Sequence, residues 1–160
     1  MTAEKAALRE TMKQQLRAMT GEDRQSLSDE ICEHVLQMTQ WQEAQSVVLF
    51  LPLPSEPIIA PLKLDCDVRK VPEILIPQSP KDGLQLPEQI DLVLVPGLAF
   101  SKDRHRLGRG GGFFDRLLAG RAKDAFKLAI CFSFQLVDAI PTEEHDVKVD
   151  AVVTEERVWI

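Results

Sequence analysis

The residues best suited to chemistry lie between Pro96 and Asp115, where the chain reads Arg106-Leu107-Gly108-Arg109-Gly110-Gly111-Gly112-Phe113-Phe114-Asp115. Glycines without side chains let backbone N–H groups come close to an anion. Arginines add forked donors that match phosphate oxygens, and a helix opening after the third consecutive glycine would add unpaired N–H groups and a partial positive charge. Arg106 and Arg109 are therefore the candidate charge-neutralising groups, with Lys102 and Arg104 nearby. Asp115, just inside the predicted helix, could cap it or hold a magnesium ion beside phosphates. The run lacks the Gly-Lys-Ser/Thr ending of a Walker loop and the spacing of a dinucleotide fingerprint. A flexible glycine loop with solvated arginines fits the same pattern.

Three weaker signals accompany it. Lys5, Arg9, Lys13 and Arg17 recur at i, i+4 along one helix face; this is either a solvated face or, for Lys5 and Arg9, a reach toward polyphosphate. Glu56 follows an apolar run between prolines, where an acid could meet a ligand or simply be solvated. In Pro141–Asp150, Asp146 could offer an oxygen to magnesium, although Glu143-Glu144-His145-Asp146 also reads as an ordinary polar loop. His34, His105 and His145 have no zinc spacing, and no nucleophilic triad is visible.

These groups need a frame to position them. Leu8, Met12, Leu16 and Met19 predict a helix over Ala3–Met19, and Leu27, Ile31, Val35 and Met38 a second over Glu22–Met38, opened by a capping pattern at Thr20. One more turn is expected at Trp41–Ala44. Apolar runs at Ser46–Leu51, Asp91–Val95, Lys127–Phe132 and Asp150–Thr154 read as buried parallel strands, with a short strand at Glu73–Ile76. Pro57–Leu62 suggests a short helix. The remainder of Lys63–Pro87, carrying four prolines, reads as loop. The glycine run should lead into a helix over Gly112–Arg121, with Phe113, Leu117 and Leu118 on one side. Strands alternating with helices imply a layered α/β sheet, with ligands beyond the carboxyl ends of the strands.

The 160 residues, 44% apolar and 28% charged, suit one globular domain spanning 1–160. A net charge of −6 argues against a nucleic-acid binder. No apolar segment is long enough to cross a bilayer, and Met1–Arg17 lacks the apolar stretch of a signal peptide, so a cytoplasmic protein without membrane association is expected. Cys32, Cys66 and Cys131 read as buried, reduced thiols.

Taken in order, these segments resemble the 5-formyltetrahydrofolate cyclo-ligase (methenyltetrahydrofolate synthetase) family. The resemblance rests on Asp91-Leu92-Val93-Leu94-Val95-Pro96-Gly97-Leu98-Ala99-Phe100 followed by Arg106–Arg116. Lys5-Ala6-Ala7-Leu8-Arg9 and the tail from Ile140-Pro141 to Asp150 add to it, and it covers about residues 3–60 and 74–154. It implies a three-layer α/β/α sandwich around a mainly parallel sheet, and a magnesium- and ATP-dependent closure of 5-formyltetrahydrofolate to 5,10-methenyltetrahydrofolate. In that scheme the formyl oxygen takes the γ-phosphoryl group of ATP, N10 attacks the activated carbon, and phosphate leaves. It further implies that Lys5, Arg9 and Arg106, Leu107, Gly108, Arg109, Gly110, Gly111, Gly112, Phe113 and Phe114 bind ATP. Leu51, Glu56, Gly110, Phe113 and Phe114 would contact the reduced folate, and Asp115 and Asp146 would hold Mg2+. The working unit would be a monomer or a dimer.

The chain departs from the family pattern at four places: the segment between Glu56 and Asp91 is short, Phe113-Phe114 replace two tyrosines, Arg104 replaces a turn glycine and Ser101 an aspartate. A relative that binds nucleotide or folate without turnover, and an ATP-dependent enzyme with a smaller acceptor, remain alternatives.

Overall fold

A computed structural model describes residues 3–78, 85–144 and 146–160. Its centre is a six-stranded sheet of order β2-β1-β3-β6-β8-β9, built from β1 (Val47–Phe50), β2 (Glu73–Ile76), β3 (Leu92–Val95), β6 (Phe126–Ile130), β8 (Ala151–Val153) and β9 (Val158–Trp159). All neighbours pair in parallel except β8 and β9. Strands β1 and β3 are buried along their whole length, which is why they read as unbroken apolar runs rather than alternating ones.

The first five strands of that order follow the doubly wound pattern 2-1-3-4-5. From β1 the chain crosses through α4 (Ala60–Arg69) to β2 on one side, and from β3 through α5 (Phe113–Ala119) to β6 on the other. Right-handed crossovers in opposite directions put α4 and α5 on opposite faces of the sheet. Helix α2 (Gly21–Leu36) packs on α4. The result is the expected three-layer arrangement. The reversal of direction falls between β1 and β3, and opens a crevice beyond their carboxyl ends.

Helix α1 (Ala3–Arg17) buries Met12 and Leu16, and α2 buries Ile31 and Val35, as their spacing requires. The Thr20 hydroxyl caps α2 by accepting the Asp23 N–H at 3.0 Å, and α3 (Thr39–Glu43) seats Trp41 in the core. No helix among the described residues is long and apolar enough to cross a membrane.

The structure corrects the sequence in four places. The helix expected at Pro57–Leu62 is α4, which starts at Ala60 and continues to Arg69 through residues read as loop. It buries Leu62 and Cys66 at i, i+4, while Lys63–Asp67 and Asp65–Arg69 pair along its exposed sides. Helix α5 is shorter than expected, and Phe114 rather than Phe113 joins Leu117 and Leu118 in the core. A second sheet, β5-β4-β7, formed by β4 (Ala99–Ser101), β5 (Arg106–Leu107) and β7 (Leu136–Val137), has strands too short for periodicity to reveal. Strand β9 was also not anticipated. The loop reading over 79–84, and His145, fall outside the described residues.

Candidate functional site

Each wall of the crevice is supplied by the chain that leaves a central strand. After β1 comes Leu53, after β2 Pro77 and Gln78, and after β3 Gly97, Arg106 and the run Gly108–Asp115; together they line a cavity of about 300 Å3, and Glu56 sits behind that lining, hydrogen-bonded to Leu53 and Gln78. Gln135, buried after β6, donates from Nε2 to the carbonyls of Gly97 and Leu98, both at 3.1 Å. This holds the turn that ends β3.

Arg106 lies along the floor of the glycine loop. Its Nε donates to the Pro96 carbonyl at 2.6 Å and its guanidinium contacts Asp115 Oδ1 at 3.2 Å. It stacks over Phe114, 5.4 Å from the ring centroid. A Cβ at Gly108 would lie 2.9 Å from this guanidinium, so only glycine leaves it room there. Burial lowers the Arg106 pKa to about 10, which still leaves the group charged at neutral pH. Gly112, at φ +78°, turns the chain into α5.

Arg109, in the cavity lining, faces Glu56 behind it. Arg109 Nη2 and Glu56 Oε2 are 3.7 Å apart, too far for a hydrogen bond. Arg109 Nε and Nη2 and Glu56 Oε2 are buried and hydrogen-bonded to nothing among the described residues. Arg9 contributes a further unfilled donor: from α1 its Nε donates to the Gly108 carbonyl at 2.8 Å, while buried Nη1 has no hydrogen-bond partner among the described residues. Buried polar atoms left in this condition are costly, commonly about 1–3 kcal/mol each, unless a ligand satisfies them.

Glu56 is 2% exposed. Its Oε1 accepts the Leu53 N–H at 2.7 Å and a short hydrogen bond from Gln78 Nε2. Burial raises its pKa; the Leu53 and Gln78 hydrogen bonds and the Arg109 and Arg106 charges pull it back down. The turn that presents it is anchored by Arg24, whose Nε donates to the Glu56 carbonyl at 2.6 Å and Nη2 to the Leu53 carbonyl at 3.3 Å.

The remaining residues singled out in the sequence occupy varied positions. Gly110, Gly111, Phe113 and Asp115 line the cavity, with Phe113 edge-on to Phe114 at 5.2 Å. The Leu107 side chain is 1% exposed in the core and its carbonyl accepts the Leu98 N–H, so only its backbone borders the loop. Leu51, 46% exposed, stands at the end of β1, where its carbonyl accepts from Gln78 Nε2 at 3.1 Å. Lys5 ties α1 to the tail, 3.7 Å from Glu143 and 3.5 Å from Asp146. The basic ladder thus divides: each i+4 step advances about 40° around a helix, so Lys5 and Arg9 turn inward while Arg17 stays exposed beside Glu10. Arg104, where the family pattern has a glycine, adopts φ 72°.

Gln78 and Arg24 escaped the sequence reading. Gln78 follows β2 in the least legible stretch, and Arg24 looks like any exposed helix cation; only tertiary structure brings either to Glu56.

Asp115 pairs with Arg106 and Asp146 with Lys5, and the described residues contain no cluster of three or more His, Cys, Asp or Glu able to hold a metal. Mg2+ needs only one or two carboxylates, taking its other oxygens from phosphates and water, whereas Ca2+ requires a fuller cage.

The chain has known relatives in sequence and in fold. The family profile described as the 5-formyltetrahydrofolate cyclo-ligase family matches residues 1–85 and 67–155. A 5-formyltetrahydrofolate cyclo-ligase from Mus musculus is 27% identical, the alignment covering 95% of this chain and 94% of the relative. The solved 5,10-methenyltetrahydrofolate synthetase from Mycoplasma pneumoniae superposes with a TM-score of 0.82 at 25% identity, covering 95% of this chain and 99% of that one. The Aquifex aeolicus synthetase gives 0.79 at 28%, covering 96% and 91%.

Proposed function

We propose that this chain, which belongs to the 5-formyltetrahydrofolate cyclo-ligase family, closes 5-formyltetrahydrofolate to 5,10-methenyltetrahydrofolate with ATP as co-substrate, in the cytoplasm. The observation that carries the reading is the set of buried, unfilled groups in and against the crevice lining: Arg9 Nη1, Arg109 Nε and Nη2, and Glu56 Oε2. Three cationic donors beside a glycine loop call for an anion of several oxygens. One carboxylate acceptor a few ångströms away calls for a neutral ring bearing N–H donors. A triphosphate and a reduced pterin supply both.

In this reading the formyl oxygen bonds to the γ-phosphorus and ADP departs. N10 then bonds to the formyl carbon, the carbon–oxygen bond to phosphate breaks, and the N10 proton passes to phosphate or solvent. No protein nucleophile is needed, so the work of the chain is positioning and charge neutralisation. Arg109 and Arg9 would grip the phosphates from opposite sides of the glycine loop, with Lys5 further along α1. Arg106, held by the Pro96 carbonyl and Asp115, would offset charge that develops on the transferring group. Gly110, Phe113 and Phe114 would border both substrates, and Leu51 and Glu56 would contact the folate. Asp115 and Asp146 would hold Mg2+ with phosphate oxygens, and the ion would neutralise part of the phosphate charge.

The test is the near-ultraviolet absorbance of the methenyl product. A steady rise that requires ATP, Mg2+ and 5-formyltetrahydrofolate together is expected from the purified protein. No product under saturating substrates would exclude the assignment.

A further inference from the structure

Gln78 has an orientation that its neighbours leave no freedom to change. Its side-chain amide lies between two acceptors, the Leu51 carbonyl at 3.1 Å and Glu56 Oε1 in a short contact. Both must receive N–H, because an amide oxygen placed there would confront a carbonyl and a carboxylate at hydrogen-bond distance. The two Nε2 protons are thereby spent inside the protein. Oε1, on the same carbon and in the same plane as Nε2, points away from both acceptors, and Gln78 lines the cavity.

Where Gln78 lines the cavity and meets Glu56, these bonds leave two acceptors uncommitted. One is Glu56 Oε2, buried without a hydrogen-bond partner among the described residues, and the other is Gln78 Oε1. They come from different strand ends, β1 and β2, and are joined rigidly through Glu56 Oε1. The arginine donors and the glycine loop stand across from them on the chain that follows β3. Adjacent acceptors with fixed directions match a flat heterocycle carrying neighbouring N–H groups.

Building on the proposed function, we propose that Gln78 is a specificity-determining residue of the folate half of the site, accepting an N–H of the reduced pterin ring beside Glu56. Leu51 acts here through its backbone, as the carbonyl that helps set the amide. A side chain without an acceptor at position 78 leaves a ring N–H unpaired in a buried pocket. A carboxylate there meets Glu56 Oε1, and the two can coexist only by sharing a proton.

Calorimetric titration of wild type, Gln78→Met and Gln78→Glu with 5-formyltetrahydrofolate alone, and separately with Mg-ATP alone, tests this. For Gln78→Met the Kd for the folate is expected to rise about tenfold or more, the scale of one buried hydrogen bond, with the Kd for Mg-ATP within about twofold of wild type. For Gln78→Glu folate affinity is expected to recover as pH falls from 8 to 6, a dependence steeper than in wild type, because the shared proton restores the donor between the two carboxylates. Unchanged folate affinity in both variants, or equal loss of folate and Mg-ATP binding, overturns the proposal. Wild-type protein that binds Mg-ATP but no 5-formyltetrahydrofolate defeats the folate reading itself and this inference with it. Wild type that binds both, beside variants that behave identically to it, defeats only the role of Gln78.

Discussion

Two cavities open at opposite ends of the same strands, and the larger is the less telling. The one at the amino ends of β3 and β6, about 420 Å3, is lined by Glu43, Glu88, Asp91, Arg121 and Asp124 among others. Among the described residues, none of its buried side-chain polar atoms is left without a hydrogen bond. Asp91 accepts from the Gln45 N–H at 2.8 Å and from Gln89 Nε2 at 3.2 Å, and Arg121 donates to the Pro87 carbonyl at 2.7 Å. The crevice at the carboxyl ends is about 300 Å3, yet it gathers buried arginine and glutamate atoms whose hydrogen bonds the described protein does not complete. Volume measures only where a ligand fits; buried groups with unfilled hydrogen bonds mark where a ligand of matching chemistry would gain most.

The sharpest way to break this contrast is to truncate one arginine at each end. Arg109→Ala is expected to lower kcat/KM by about 10²–10³, the usual scale for losing a preorganised donor to a reacting anion. Arg121→Ala should leave kcat/KM unchanged and alter stability by no more than about 0.5 kcal/mol. Steady-state assays of the methenyl product with urea unfolding of both variants check the pair, and equal losses at the two sites would erase the distinction.

Asp115→Ala is expected to abolish magnesium-dependent turnover while the unfolding midpoint stays close to wild type, since the side chain is exposed on the first turn of α5. Rates measured across a magnesium titration provide the readout. Normal turnover would move the ion elsewhere.

Gly112→Ala probes the backbone rather than the charge. Gly112 has φ +78°, and an added Cβ would lie 2.8 Å from the mobile end of Arg116. The side chain can swing away but the backbone cannot, so a loss of about 1–2 kcal/mol is expected. Denaturant titration measures it.

The smallest effect is a pH dependence. Burial raises the Glu56 pKa above the ordinary glutamate value of 4.5, so the folded chain binds this proton more tightly than the unfolded chain does. Its contribution to stability is full below about pH 4.5 and falls as pH rises through the folded value. Glu56→Gln removes that slope, so the variant should gain on wild type between pH 4.5 and 8. Urea unfolding across this range measures the difference, and a constant offset would contradict the direction of the shift.

What the sequence disclosed follows the physics of each element. Helices α1 and α2 and strands β1, β3, β6 and β8 were legible because each buries a stripe or a whole run of apolar side chains. Helix α4 was hidden by its surroundings: prolines before and after it, and a charged exposed face that outweighs Leu62 and Cys66. The glycine loop was readable because its backbone takes positive φ at Gly110 and Gly112, a conformation that favours glycine. Glu56 was found only as a strand-end acid, with no hint that it would be buried. Gln78 and Arg24 gave no signal, since a lone glutamine or arginine acquires meaning only when the fold brings it to Glu56.

The central claim is that the phosphates of ATP complete the hydrogen bonding of Arg9 and Arg109. A crystal structure of the protein soaked with a non-hydrolysable ATP analogue and Mg2+ tests it most directly. The account predicts phosphate oxygens within hydrogen-bond distance of Arg9 Nη1 and of Arg109 Nε or Nη2, over the loop Gly108–Gly112. Nucleotide bound in the cavity at the amino ends of the strands, or seated with both guanidinium groups still unpaired, would contradict it.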